Sequence, residues 1–148
     1  MAYKTYSFAD VDIVMNHPAV GFKDIAMSGL GIGSISINMA NDRTIHDTAA
    51  DGTVMISKIK TASGLIALVV QQISDAHMWL QKWSNYIYLN STNANEWAQA
   101  RITVTSRSTG EIFFCSGVSP QKSADRTFQA QGQNITWNLM AADITPFS

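Results

Sequence analysis

The residues with chemical potential are few, and each also has a plain structural use. The run Gly29-Leu30-Gly31-Ile32-Gly33 has the glycine content of a phosphate-cradling loop. Such a loop needs a lysine and a helix that starts at the phosphate. The lysine is missing and the next segment alternates as a strand, so a flexible connection is expected. A zinc site takes three or four ligands. His17 precedes a proline, His46 lies in a polar stretch and His77 sits beside a tryptophan stripe; no pair has helical ligand spacing. Ordinary surface or partly buried histidines, and no metal, are expected. Cys115 is the single cysteine, so no disulfide closes within the chain. Its neighbours Phe113, Phe114 and Val118 make it a core thiol rather than a nucleophile.

Carboxylates and bases fare no better. Asp10 and Asp12 share a strand face, as paired acid–base groups would, but a solvated stripe is the simpler use. Asp42, Asp47 and Asp51 only loosely follow a calcium loop, with its glycine and final glutamate misplaced. Arg43, Lys58 and Lys60 are too few for a nucleic-acid face. No Gly-x-Ser-x-Gly elbow accompanies the serines. Trp79 and Trp83 stand at helical spacing, where tryptophan is more often core than a ligand platform. The expectation is a chain that is not an enzyme and holds no cofactor.

The elements that carry these residues are mostly strands. Tyr6 to Met15 alternates, with Phe8, Val11, Ile13 and Met15 inward and a phase slip near Ala9. His17-Pro18 ends that strand, and Val20 to Gly33 reads as a loop. Ser34 to Met39 alternates cleanly. Gly52 to Lys60 is a strand with less clean faces, and the two predict a hairpin carrying a long polar loop over 40–51. Leu65 to Val70 is apolar on both faces and favours a strand. Ser74 is a natural N-cap with Asp75 in the first turn. Ala76, Trp79, Leu80, Trp83 and Ile87 then make one apolar helical stripe. Asn90 to Asn95 is a polar loop. Ala100 to Arg107 and Glu111 to Gly117 form a hairpin about Ser108-Thr109-Gly110, and Val118 to Gly132 is irregular. A last strand holds Ile135, Trp137 and Leu139. The sum is mainly β: an antiparallel β-sandwich or barrel of about seven strands with one flanking α-helix. Trp79, Trp83 and Trp137 are its expected core anchors.

At 148 residues the chain suits one domain, 1–148. Hydrophobic residues are 46%, enough for a core, so disorder is excluded. Charged residues are 14%, well below the roughly 25% of ordinary soluble domains, and net charge is −1. A sparsely charged, nearly neutral chain tends to self-associate, so other copies are expected to cover much of its surface. The start Met1 to Tyr6 lacks the apolar stretch of a secretory leader, and no run reaches the ~20 apolar residues of a spanning helix, so no membrane is expected.

Several short strings then resemble one family. Thr5-Tyr6-Ser7-Phe8-Ala9-Asp10-Val11 resembles the opening of tail tube proteins of contractile-tailed bacteriophages. Ile35-Ser36-Ile37-Asn38-Met39, followed by Thr48-Ala49-Ala50-Asp51-Gly52-Thr53-Val54-Met55, is similar to that family's hairpin with its Ala-Asp-Gly turn. Gly64 to Ser74 resembles its strand-to-helix turn, and the final Trp137 strand is similar too. The resemblance spans nearly the whole chain and includes no catalytic signature. It implies a tail-tube fold, shared with the ring protein of type VI secretion systems. It implies hexameric rings stacked into a hollow tube, with an acidic lumen through which genomic DNA passes without sequence-specific binding. Tail sheath, baseplate and tail terminator proteins are the implied partners. The implied location is the virion tail, after assembly in the host bacterial cytoplasm. The segment 40–51 becomes the candidate ring-stacking loop, through Asn41, Asp42, Arg43, His46, Asp47 and Asp51. Two alternatives stand beside this reading. One is the ring protein of a type VI secretion or phage-tail-like injection particle. The other, of a different class, is a monomeric β-barrel ligand-binding module with a pocket near Trp79 and Trp83.

Overall fold

A computed structural model of the chain describes residues 2–3, 5–7, 10–24, 32–90 and 94–147. The strands are β1 (Val11–His17), β2 (Gly21–Asp24), β3 (Ile32–Met39), β4 (Thr44–Thr48), β5 (Val54–Lys58), β6 (Gly64–Gln71), β7 (Ala100–Ser106), β8 (Ile112–Pro120) and β9 (Asn134–Phe147). One helix, α1 (Asp75–Asn85), lies between β6 and β7 and runs into a single wide turn over Tyr86–Asn90. Seven strands make one antiparallel sheet in the order β2-β1-β7-β8-β9-β6-β3, and β4 and β5 form a separate two-stranded ribbon. The fold is mainly β with one flanking helix.

Alternation decides which face is dry. Val11, Ile13, Met15 and His17 of β1 point into the core, as do Ile66, Leu68 and Val70 of β6 and Ile135, Trp137 and Leu139 of β9. The apolar run at Leu65–Val70 therefore buries one face only; Leu65 on the other is exposed. The sheet curls until Ile35 and Ile37 of β3 stand across an open cleft from Val104 and Phe113. Gly117, at φ +63°, assists the curl. Around it β8 and β9 change phase together, so that Cys115 and Ile144 face inward, and then Val118 and Ala141 do.

The helix closes the curled sheet. Ser74 caps it: its Oγ accepts the His77 amide at 3.1 Å, and its hydroxyl donates to the Gln71 carbonyl at 2.7 Å. Ala76, Leu80 and Trp83 are buried against the sheet, with Ile87 following. Trp83 and Trp137 have no exposed area; Trp79 is half-buried, its ring stacked on Trp83 with centroids 6.3 Å apart. Trp137 Nε1–H donates to His77 Nδ1 at 3.1 Å, tying β9 to the helix through a buried polar contact. Trp83 Nε1, also buried, finds no acceptor among the described residues.

Three sequence expectations are corrected. Val20 to Gly33 is not all loop, because β2 pairs back onto β1 with His17 opposite Gly21; a four-residue edge strand leaves too little alternation to detect. The strand over Ser34–Met39 does not pair with the one over Gly52–Lys60. It pairs with β6, and the polar stretch between holds a strand of its own, β4, paired with β5. His17 is not a surface histidine, because it continues the inward parity of β1 and has no exposed area.

Two outcomes follow. Trp83→Ala lowers the unfolding free energy by about 3–5 kcal/mol in denaturant titration. Trp83→Phe loses much less, because it keeps most of the buried area and removes an unpaired donor. Burial, and after it the nearby Arg126, hold the His77 imidazole below its ordinary value of 6.5. The unfolded chain then takes up that proton first as pH falls. This contribution is complete above 6.5 and is lost progressively below it. The melting temperature is expected to fall as pH drops below about 6.5, and less steeply in His77→Gln.

Candidate assembly site

The chemical candidates do not converge. Among the described residues no three His, Cys, Asp or Glu side chains come close enough to hold a metal ion. Gly29 to Gly31 lie outside the described residues, and Ile32 and Gly33 already belong to β3. The buried Cys115 thiol is pushed up to about 11, chiefly by burial and then by Asp143, so it is a poor nucleophile. Asp10 and Asp12 are spent separately: Ser108 Oγ–H donates to Asp10 at 2.6 Å, and Arg107 lies 3.8 Å from Asp12. His17 is fully committed. Its Nδ1 accepts the Ala19 amide at 3.2 Å, and its Nε2–H donates to the Glu96 carbonyl at 2.9 Å. The Tyr86 ring meets it edge-on at 5.9 Å, and the Tyr86 hydroxyl donates to the Glu96 carboxylate at 3.1 Å. That cluster fastens the turn after the helix to the end of β1. The parity of β1 could have revealed it. An open groove of about 720 Å³ is lined by His77, Gln81, Lys82, Tyr86, Arg126 and Phe128; neither Trp79 nor Trp83 lines it.

The ring-stacking candidates do come together, on an arm. The β3–β6 ladder does not stop at the sheet. Ala40 N–H donates to the Ser63 carbonyl at 3.0 Å, Asn41 Nδ2 donates to Thr61 Oγ1 at 3.4 Å, and Ile59 N–H donates to the Arg43 carbonyl at 2.9 Å. From there β4 and β5 pair from Thr44–Lys58 to Thr48–Val54. Residues 32–71 are thus one long hairpin, half in the sheet and half outside it. The tip is a tight turn: Ala49 N–H donates to the Thr53 carbonyl at 2.8 Å and Gly52 N–H to the Ala49 carbonyl at 3.0 Å. The Thr53 amide donates to Asp51 Oδ1 at 3.0 Å, holding that carboxyl below its ordinary range, and Gly52 takes φ +90°. At about 3.3 Å per residue the free part reaches roughly 30 Å.

Every residue of β4 and β5 is exposed. The register puts His46, Ile56, Thr48 and Val54 on one face, and Ile45, Asp47 and Met55 on the other. Both faces are therefore part apolar, with Ile45 at 48%, Met55 at 60% and Ile56 at 63% exposure. Asn41, Asp42, Arg43, His46, Asp47 and Asp51 all lie on this arm, with Lys58 at the end of β5 and Lys60 just beyond it. The sequence expectation confines the candidates to the loop over 40–51 and pairs the returning strand with Ser34–Met39, so the apolar half of the arm is not among them. The unclean faces of Gly52–Lys60 were the signal.

Charge is sorted over the rest. Segments 32–41, 61–74 and 127–142 contain no Asp, Glu, Lys or Arg. They supply β3, β6 and most of β9, which are neighbours in the sheet. On their open face the rows across these strands are Ser34–Val69–Thr136, Ser36–Ala67–Asn138 and Asn38–Leu65–Met140.

The fold has counterparts. Several solved structures match over nearly the full length of both chains. One is from the sheath/tube terminator of an extracellular contractile injection system: TM-score 0.66 at 15% identity, covering 100% of each chain. Another is from the sheath-tube complex of such a system: TM-score 0.62 at 16% identity, covering 97% of this chain and 92% of that one. A third is from the tube-terminating cap of the anti-feeding prophage: TM-score 0.62 at 14% identity, covering 100% and 94%. At these identities the likeness is one of fold. No curated protein matches. The family model described as Bacteriophage PhiTE tail tube protein matches residues 3–147, so the chain belongs to that family of phage tail tube proteins, structural subunits of the tail tube.

Proposed function

We propose that copies of this chain close into hexameric rings, and that rings stack through the arm into a hollow conduit for genome delivery. The observation that carries this reading is the free half of the hairpin. A two-stranded ribbon exposed on both faces is marginally stable in water, and one with apolar side chains on both faces calls for a second surface. A copy in the next ring supplies it within the roughly 30 Å reach of the arm. The polar arm residues Asn41, Asp42, Arg43, His46, Asp47 and Asp51 then set register between rings. The low charge of the chain supports the same reading, since it leaves much surface for sister molecules. The role is structural rather than enzymatic, and its place is the virion tail, after assembly in the host cytoplasm.

Fold relatives from sheath-tube, terminator and baseplate assemblies support a sheath around the tube and dedicated proteins at its ends. They also favour one second reading, the tube of a phage-tail-like injection particle, which differs in cargo rather than in subunit architecture.

Negative-stain microscopy of the purified chain tests the proposal: rings or tubes are expected, and a dispersed monomer at high concentration overturns it. Replacing residues 44–58 by a two-residue turn isolates the arm. The variant should keep its melting temperature and still form rings, but tubes should shorten or vanish. Tubes of normal length would remove the arm from the stacking contact.

A further inference from the structure

We infer that the groove between α1 and residues 126–128 is the socket for the arm, and that its occupant is the outer half of the arm of a second copy in the neighbouring ring. The inference rests on the stacking reading and names the surface that receives the arm.

Topology gives the contact its polarity. The arm leaves the sheet where Met39 pairs with Gly64. From Gly64, β6 runs to Gln71, and Gln72 lines the groove. Successive antiparallel pairings from β6 through β9, β8 and β7 to β1 give β1 the direction of β6. The end of β1 at His17 is followed by Ala19 and Val20, which also line the groove. Arm and groove thus sit at opposite ends of the sheet, roughly 23 Å apart along β6. The arm continues the β3–β6 ladder away from the groove, and every residue of β4 and β5 is exposed, so the arm does not lie in its own socket. A plug at one end and a socket at the other make a head-to-tail contact, which repeats without closing along a stack.

Charge matches the two surfaces. Residues 44–57 contain Asp47 and Asp51 and no Lys or Arg. The groove lining contains Lys82 and Arg126 and no acid. Neither cation forms an ion pair among the described residues. Asp125, next to Arg126, pairs instead with Lys122 at 3.4 Å, and Glu96 accepts the Tyr86 hydroxyl. The arm's own cations, Arg43, Lys58 and Lys60, lie at its root, away from the tip. Complementary charge of this kind fixes register more than it adds affinity.

Apolar groups supply the affinity. Met78 and Phe128 of the groove are 62% and 83% exposed. Ile45 and Met55 share one face of the arm with Asp47. That face sets Asp47 against a cation while Ile45 and Met55 cover Met78 and Phe128. A volume of about 720 Å³ is in the range that encloses a drug-sized ligand, enough for the side chains of one ribbon face.

Cross-linking provides the test. Tubes of Met55→Cys/Phe128→Cys are treated with a short bismaleimide and resolved under denaturing conditions, beside wild type and each single variant. Cys115 is buried, with its thiol pushed up to about 11, so wild type is expected not to react. In the double variant each copy links to the next, and a ladder continuing past the hexamer is expected. Tubes that give no ladder overturn the inference. A ladder that ends at the hexamer places the arm on neighbours in the same ring and also overturns it. So do dimers from both single variants, since like-to-like links would then build the ladder. A second variant needs no new thiol: Lys82→Glu/Arg126→Glu is expected to keep the melting temperature and rings of wild type and to lose long tubes. Tubes of wild-type length from it overturn the inference. Failure of the stacking reading looks different: wild type then forms no tubes, or tubes survive replacement of residues 44–58.

Discussion

A single hydrogen-bond ladder, shared by β3–β6 and β4–β5, is the constraint on which the other features depend. Its inner half is held by the core through Ile66, Leu68 and Val70. Its outer half has no core at all. Side chains alternate with period two, so a slip of one residue in the inner half would expose that buried set. The core therefore fixes the register, and the register fixes where every residue of the arm projects. A ribbon too short to stand alone is in this way delivered in a defined orientation. Less conformational freedom remains to be lost when it docks, which favours association.

The parts of this design that were legible in the sequence are those where one face is wet and the other dry. β1, β3, β7, β8 and β9 each alternate, and the helix has both a capping serine and an apolar stripe. β4 and β5 gave a poor signal for the opposite reason. Both of their faces are wet in the subunit, so Ile45, Met55 and Ile56 fall on no consistent side. The candidate loop over 40–51 holds one strand of the arm and part of its tip, and the returning strand pairs with β4 rather than with Ser34–Met39. Pairing was misjudged from the same cause: β3 meets β6 because the turn lies far out at Ala49–Thr53, not where the core strands end. His17 was legible from parity but read by residue type. Its two hydrogen bonds are what let a histidine occupy a core position.

Low overall charge proves to be an average over unlike regions. The arm and the turns around Asp10 and Arg107 are ordinarily charged, while segments 32–41, 61–74 and 127–142, which supply β3, β6 and most of β9, have none. A global shortage would suggest poor solubility in general. A local one suggests that particular surfaces have particular neighbours. Among the exposed apolar residues, Ile45, Val54, Met55 and Ile56 are on the arm, and Tyr88 and Leu89 at the end of the helix.

The two edges of the sheet carry the last step. Among the described residues both β2 and β3 present one unpaired side, and unpaired strand edges recruit other strands unless they are short, charged or broken by proline. β2 is four residues long and is blunted by its length. β3 is eight residues long, contains neither charge nor proline, and continues into the arm. A free monomer would be expected to protect such an edge first. An edge of this length fits a subunit whose ladder is completed by a neighbour, and it puts the open edge and the arm on the same strand.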